Sequence, residues 1–488
     1  MRPEAQLCAT VFLKKTCAKL ISKKEICLAK SKIDIANVLS RAQDGLRGTD
    51  IESLKIVVSE LVAAVIALSN RLGVNSSNSS KPPSADPNRK RPIKAKGRRR
   101  KAGGQKGHVG AFLDQVPNPT TVEDILIDRN TLPKGRYRRV GFETRQVFDI
   151  EVTVHVTEFR GEILENAKGD QFVANFPKGV TEPAQYGNSV KATSVYMSQF
   201  QLVPLARVQD HFRDQIGLPL SKGSVSNWNA LAFEKLESFE VWVRRELVSS
   251  ICCHADETGI NVNGRRIWLH SVSSEKATLF HSDEKRGAEA MERMGVIPFF
   301  KGILVHDHWK AYFAYACAHA LCNAHHLREL EAAIEFDGQK WAKKMQDFLI
   351  ELNKVVDKSG GSLSKKRAAK FYKRYRRILA AADKECPLNK KSRAQTKSRN
   401  LLKRLRDFEV ETLRFVEDIN TPFTNNLGEN DLRMTKVQQK ISGCFRSMDG
   451  ARIFCRIRSY LSTCRKNGVG PTEALTLLFE GKLPAFIT

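Results

Sequence analysis

The sequence predicts a multi-domain chain of the α+β/α kind. A mixed sheet forms its core, preceded by a coiled coil, a basic linker, a small β-rich module and a helix-turn-helix-like region. Three observations carry this. Between residues 251 and 322, apolar and alternating runs recur at strand lengths, separated by turn and helix signals. Residues 203–234 read as a helix, a short glycine-containing turn and a second helix. Ahead of both, the composition passes from heptad-like to Ser/Asn/Pro-rich to basic.

At 488 residues the chain is long enough for several domains with a buried core. Lys and Arg total 81 against 53 Asp and Glu, a formal net charge of +28. Such an excess favours a polyanionic partner, nucleic acid ahead of an anionic membrane surface. The best apolar run, residues 61–68, is too short to span a bilayer, and no cleavable signal peptide is read. The eleven cysteines are scattered, none spaced Cys-x-x-Cys, and residues 28–251 have none. This is no disulfide framework, and it points to a reducing cytoplasm with no membrane partner.

Taken in order, residues 1–49 form an irregular basic extension. Leu54, Val58, Leu61, Val65, Leu68 and Leu72 then alternate spacings of four and three, the seam of a short coiled coil within 50–74 and a basis for a homo-oligomer. One amphipathic helix packed on its own domain is the competing reading. Residues 75–87 (NSSNSSKPPSADP) read as a disordered linker. Residues 89–106 hold ten basic residues and no acid, among them Arg89, Lys90, Arg91, Arg98, Arg99, Arg100 and Lys101. Such a run gains affinity for DNA by releasing phosphate counterions, where a solvated tail is the plainer alternative. Residues 146–159 (QVFDIEVTVHVTEF) alternate as a half-buried β-ribbon should. In the helix-turn-helix-like region the second helix opens with Lys222, Ser224, Ser226 and Asn227, side chains able to meet phosphates and base edges.

The chemistry is read from residue 251 onward. Residues 251–262 form a strand containing Asp256, Asn263 and Gly264 signal a tight hairpin, and 265–272 return. A third strand at 277–281, a helix at 287–294, an apolar strand at 302–306 ending in Asp307, and a short strand at 319–322 follow. Three meandering strands, a crossover helix and a further strand are the order of an RNase H-like sheet. There the first and fourth strands are neighbours, so Asp256 and Asp307 converge on one edge. A helix within 421–442, with Thr424 and Asn425 as capping types and Gly443 as its stop, offers Glu429. Glu429, Arg433, Lys436 and Lys440 share one face of it, an acid followed by cations suited to a phosphodiester. A solvated face with ordinary pairing is the alternative. Phosphodiester displacement needs an activated nucleophilic oxygen and a stabilised leaving oxygen, which two Mg²⁺ (or Mn²⁺) ions held by carboxylates supply.

Four blocks, HADETGI (254–260), VHDHWKAYF (305–313), LCNAHHLREL (321–330) and NNLGENDLRMTKVQQKISGCFRS (425–447), resemble in order and spacing those of the insertion-sequence-66 family of transposases. The seam, NSSNSSKPPS and RRRKAGGQKGHVG resemble the family's opening block. The resemblance runs from about residue 51 almost to the end. It implies a bacterial DDE transposase that cleaves and transfers DNA strands, with Asp256, Asp307 and Glu429 as its catalytic and metal-holding triad. It also implies a basic helical insertion between the second Asp and the Glu. The expected organisation is then 1–49 extension, 50–74 coiled coil, 75–110 linker, 111–185 β-rich module and 186–245 helix-turn-helix-like region. The core follows as 246–335 and 416–466 around an insertion at 336–415, with a tail at 467–488. Its partners would be element ends and target DNA, with accessory proteins of the same element, in a nucleoid-associated cytoplasmic setting.

Two departures stand out. Family members carry a zinc module built from paired cysteines, whereas residues 124–179 contain none, so zinc binding there is not expected and the protein is expected to hold no zinc. The residue after the acid, usually Arg, is Asn430. Cys322, His325 and His326 look metal-like but lack a further ligand at suitable spacing, so a structural or substrate-positioning role is expected. Glu257, His306 and His308 should point away from the acids by strand alternation, and Trp268 should lie in the core. A catalytically decayed transposase that only oligomerises on DNA competes with the active enzyme, and the three intact acids argue against it. A host nuclease acting on RNA–DNA hybrids leaves the seam, basic run and helix-turn-helix unexplained.

Overall fold

The computed structural model describes residues 65, 72–79, 86, 110, 113–389 and 395–487. The basic run Arg89–Lys101 and most of the predicted seam lie outside the described residues. Of the seam positions, Val65 and Leu72 are described, and both are exposed. Chain contacts group Met1–Arg91 with Arg328–Gln339, and Pro92–Leu327 with Lys340–Thr488.

In the first unit, the start of the predicted linker is a built turn. Asn75 and Asn78 are buried; the Asn75 N–H donates to Asn78 Oδ1 at 2.8 Å, and the Asn78 amide reaches Glu335. A disordered reading fails here because both asparagine side chains replace water with internal partners.

In the second unit, residues 146–159 enter no ladder, contrary to expectation. Val147, Ile150 and Val156 are 86, 92 and 82% exposed, and alternation stabilises a strand only when it has a partner and a face to bury. Pairing occurs further on, between β1 (Ile163–Glu165) and β2 (Gln171–Val173). Helices follow: α1 (Asn188–Val195), α2 (Leu205–His211), α3 (Lys222–Lys235) and α4 (Glu237–Ser249). A wide turn extends α2 to Ile216, Gly217 stops it with φ 72°, and Ser221 caps α3 by accepting from the Ser224 N–H. Gly supplies that left-handed stop without a Cβ penalty, so the predicted helix-turn-helix spacing is realised.

The sheet is built from β3 (Cys252–Val262), β4 (Arg265–Ser273), β5 (Thr278–Asp283), β6 (Ile303–His306) and β7 (Ala318–Leu321), in the order β5-β4-β3-β6-β7. Asn263 and Gly264 take positive φ of 47° and 80°, the conformation a two-residue hairpin with matching twist needs. After the antiparallel meander, α5 (Ala288–Met294) leads to β6, which pairs parallel with β3 and with β7. The first and fourth strands are neighbours, as the sequence order anticipates. Helices α6 (Asn323–Asp337), α7 (Lys340–Lys358), α8 (Lys365–Glu385), α9 (Lys397–Asp407) and α10 (Glu409–Leu413) then intervene. The chain returns in α11 (Asn426–Ser442), α12 (Met448–Lys466) and α13 (Pro471–Phe479).

Strand alternation divides the core. On one sheet face Ile260, Val262, Ile267 and Leu269 pack with Leu432 of α11 and Phe454 of α12. On the other, Cys253 and Ala255 join Val243 and Leu247 of α4 and Met291 and Met294 of α5. Burial of the Ile, Val, Leu, Phe and Met side chains among these contributes roughly 1.5–3 kcal/mol each, which fixes the register of β3 and hence the side on which each polar residue emerges.

Candidate active site

Asp256 and Asp307 leave the sheet at one level. His254 pairs with Val305 across the parallel β3–β6 ladder, so two residues on, Asp256 and Asp307 follow on adjacent strands. Asp256 belongs to the β3 face that meets α11, where His254 Nδ1 and Asn425 Oδ1 bond at 2.8 Å. Glu257 faces the other way, as expected: its carboxylate accepts from Arg286 and from the Tyr312 hydroxyl, each at 2.6 Å. Asp256 Oδ1 accepts the Glu257 N–H at 2.9 Å, and Asp307 Oδ1 the Trp309 N–H at 2.9 Å.

Glu429 is brought to this edge by the start of α11. Asn425 opens the helix as its N-cap without a side-chain capping bond. Instead its Nδ2 donates to Ala255 O at 2.8 Å, and its N–H donates to Cys322 Sγ at 3.1 Å. Asn425 thus holds the predicted cap position, but its amide bonds β3 instead of the helix, which ties the first turn of α11 to the strand bearing Asp256. Gly428 leaves room for this, since a Cβ there would sit 3.1 Å from Asn425 Oδ1.

Asp307 and Glu429 both act on Asp256. Asp256 is held well above the ordinary carboxylate range, first by burial, then by the charge of Glu257, with Asp307 and Glu429 adding to it. Among the described residues the three acids do not form a group with all ligand atoms within 4.8 Å of one another. Among the described residues, Cys322, His325 and Glu429 form a group whose ligand atoms all lie within 4.8 Å of one another. The sequence pattern groups Cys322 and His325 with His326 and offers no fourth ligand; in the fold the third member is Glu429, from a helix distant in sequence, and the group has three ligands. His326 is different: it is buried against Asn323 at 3.0 Å, and burial lowers it to about 3.

The remaining predicted contacts separate. Lys436 turns inward and donates to Gly259 O at 2.8 Å; burial lowers its pKa, with Asp256 acting in the opposite sense. Arg433 and Lys440 on the same helix are exposed. On α3, Lys222, Ser226 and Asn227 are exposed, Ser224 is half-buried, and Val225, Trp228 and Asn229 face inward. His306 bonds His319 at 3.0 Å and is lowered to about 3 by burial, while His308 packs on Phe408. Trp268 is no core residue: Arg266 and Arg286 stack on it at 4.6 and 4.7 Å, and Arg286 also covers Trp309 at 4.5 Å.

Sequence reasoning missed Arg404. It sits on α9, where burial opposes its charge and Asp307 favours it. Nothing singles it out among the basic residues of KSRNLLKRLRD (397–407), because only the fold brings α9 to the end of β6.

The profile of the Transposase IS66 family matches residues 183–453, which is more than half the chain and spans Asp256, Asp307 and Glu429. The chain belongs to that family. It is a transposase by family, of a class that binds and processes DNA. Residues 28–113 match a separate family of unknown function (DUF6444). No curated protein matches. Among solved structures, a simian T-cell lymphotropic virus intasome in complex with PP2A regulatory subunit B56 gamma aligns at 12% identity. The alignment covers 43% of this chain and 74% of that one, with a TM-score of 0.14, a score at which no shared fold is defined. Among the described residues no helix is long and apolar enough to cross a membrane.

Proposed function

We propose that this family member is the DDE transposase of a bacterial insertion sequence, which cleaves DNA strands at element ends and transfers them to target DNA. The observation that carries this is the buried Asp256 on β3, level with Asp307 on the neighbouring parallel β6, under the influence of Glu429 on α11. That is the order of acids on strand, strand and helix that an RNase H-like core uses. The donors are all carboxylate oxygens, the type Mg²⁺ or Mn²⁺ takes, and a buried acid crowded by like charges is offset by a cation. When bound, two such ions would activate the attacking oxygen and stabilise the leaving one.

The chain's own residues set the geometry. Asn425 holds Glu429 to β3, and backbone N–H groups fix one oxygen of Asp256 and one of Asp307. Arg404 places a positive charge beside Asp307, where a phosphate would lie. In this reading Arg433 and Lys440 meet the DNA backbone beside the acids, with Lys436 anchoring their helix to Gly259. Lys222, Ser224 and Asn227 read the ends from α3, and the basic run Arg89, Lys90, Arg91, Arg98, Arg99, Arg100 and Lys101 grips phosphate. The seam makes a homo-oligomer that pairs two ends, accessory proteins of the element assist, and the setting is the cytoplasmic nucleoid.

The deciding experiment is Asp256→Asn assayed on labelled element ends with Mg²⁺. Loss of cleavage with DNA binding kept is expected. Retained cleavage would sink the assignment.

A further inference from the structure

Cys322, His325 and Glu429 are assembled by three short constraints. Cys322 directly follows β7, its N–H donating to His306 O at 3.0 Å. His325 lies three residues on, in the first turn of α6, with its N–H on Cys322 O at 3.1 Å, so thiol and imidazole lie together. Glu429 lies in the first turn of α11, its N–H on Asn425 O at 3.1 Å, and the Asn425 N–H donates to the Cys322 sulfur. His325 Nδ1 and Glu429 Oε1 are 3.9 Å apart. The edge of a tetrahedron around zinc, with bonds of about 2.0–2.3 Å, is about 3.3–3.7 Å, so small side-chain movements close the site. Thiol, imidazole and carboxylate are together a zinc-class donor set, whereas Mg²⁺ prefers oxygen alone. Cys322 is buried, but the His325 and Glu429 side chains are 25 and 30% exposed, which opens the cluster to solvent and leaves a fourth position for water.

We propose that Cys322, His325 and Glu429 bind one zinc-class divalent ion, and that filling this site withdraws Glu429 from Asp256 and Asp307, so that zinc opposes magnesium. The second half rests on the proposed reading of Glu429 as a member of the acid trio. The first half stands on the cluster alone. Because one carboxylate is shared, the two ions compete without sharing their other ligands.

The test uses the full-length chain. Titration with Co²⁺ as a spectroscopic stand-in for zinc should give a thiolate-to-metal absorption band at one ion per chain, reversed by Zn²⁺. Cys322→Ser should remove the band, and His325→Ala and Glu429→Gln should weaken binding at least tenfold, while Asp256→Asn leaves it within twofold. If a variant misfolds, the band of the native chain still decides. Absence of that band overturns the site whether or not the chain cleaves DNA. Zinc should then suppress Mg²⁺-supported cleavage in the native chain, and the ratio of rates with and without zinc should move towards one in Cys322→Ser and His325→Ala. In a chain that does not cleave, release of bound Mn²⁺ by zinc, followed by electron paramagnetic resonance, reads the same competition. A zinc-loaded chain that keeps its full cleavage rate or its Mn²⁺ overturns the coupling.

Discussion

Replacing Asn425 by Ala tests how the fold places its third acid. In the native chain the Asn425 side chain satisfies Ala255 O and His254 Nδ1, both at 2.8 Å and both buried. Ala leaves these two groups without that partner inside the protein, at about 1–3 kcal/mol each, so the unfolding free energy should fall by about 2–6 kcal/mol. With a urea slope of about 3 kcal/mol/M, the midpoint should move down by about 1 M. The effect on cleavage should exceed what unfolding explains, because the same bonds hold the first turn of α11 to β3. Glu429, four residues on, would gain freedom relative to Asp256. Gly428→Ala should be harmful by a related route, since its Cβ would crowd the Asn425 amide at 3.1 and 3.2 Å. Once Asn425 is already Ala, that crowding disappears. The double mutant should therefore be milder than the sum of the singles, with a coupling of about 0.5–3 kcal/mol. Measurement is by urea unfolding of all four chains beside single-turnover cleavage at a temperature where each is folded. An Asn425→Ala chain less than about 1 kcal/mol destabilised and cleaving at the native rate would refute the argument, because a buried amide with two satisfied partners cannot be that cheap to lose.

Three further outcomes are expected. Because the folded-state pKa of Asp256 is raised, this group contributes stability that is present below the ordinary carboxylate value of 3.8 and is lost as pH rises through the raised value. Metal-free protein should thus lose this contribution towards neutral pH. Mg²⁺ should recover it in the native chain but not in Asp256→Asn, as thermal unfolding at several pH values would reveal. Arg404→Ala should lower cleavage about a hundredfold with Arg404→Lys between, as expected for one charge aimed at a developing phosphate charge; unchanged single-turnover rates would remove Arg404 from the site. Deleting residues 1–106 should weaken DNA binding and flatten its dependence on salt, by about 0.9 in logarithmic slope for each phosphate that the shortened chain leaves unneutralised. An unchanged slope in a gel-shift titration would make the basic run a passive tail.

The sheet was legible because its signals are local and physical. Asn263-Gly264 fixes the hairpin, the alternation in residues 252–262 fixes which side chains share a face, and five strand-length runs around one crossover helix leave few ways to pair. The same alternation placed Asp256 and Glu257 on opposite faces, in keeping with the His254 side chain meeting Asn425 on one side and Glu257 meeting Arg286 on the other. Alternation failed at residues 146–159, where the pattern is equally regular but no second strand lies beside it and no face is covered. Periodicity describes what a strand could bury, and says nothing about whether anything is there to bury it. The asparagine turn at 75–79 shows the converse, a polar stretch that reads as solvated linker yet closes on itself through its own side chains.

What stayed hidden has one common cause. Arg404, Asn425 and the Cys322–His325–Glu429 group each depend on helices that return to the sheet after a long excursion in sequence. No spacing rule spans that gap. For Glu429 the consequence is chemical as well as architectural. The ligand atoms of the carboxylate, Cys322 and His325 lie within 4.8 Å of one another, and the carboxylate's charge also acts on Asp256; in the proposed reading it is shared between the sulfur and nitrogen of that group and the oxygens of Asp256 and Asp307. Hard and borderline ions prefer different sets, and one side chain cannot serve both fully. Asn425 touches both neighbourhoods at once, its amide on Ala255 and His254 and its N–H on the Cys322 sulfur. The strand–helix junction that aims the acid is therefore also the place where its competing ligands are held, and a change there should alter the balance between the two sets before it alters the sheet.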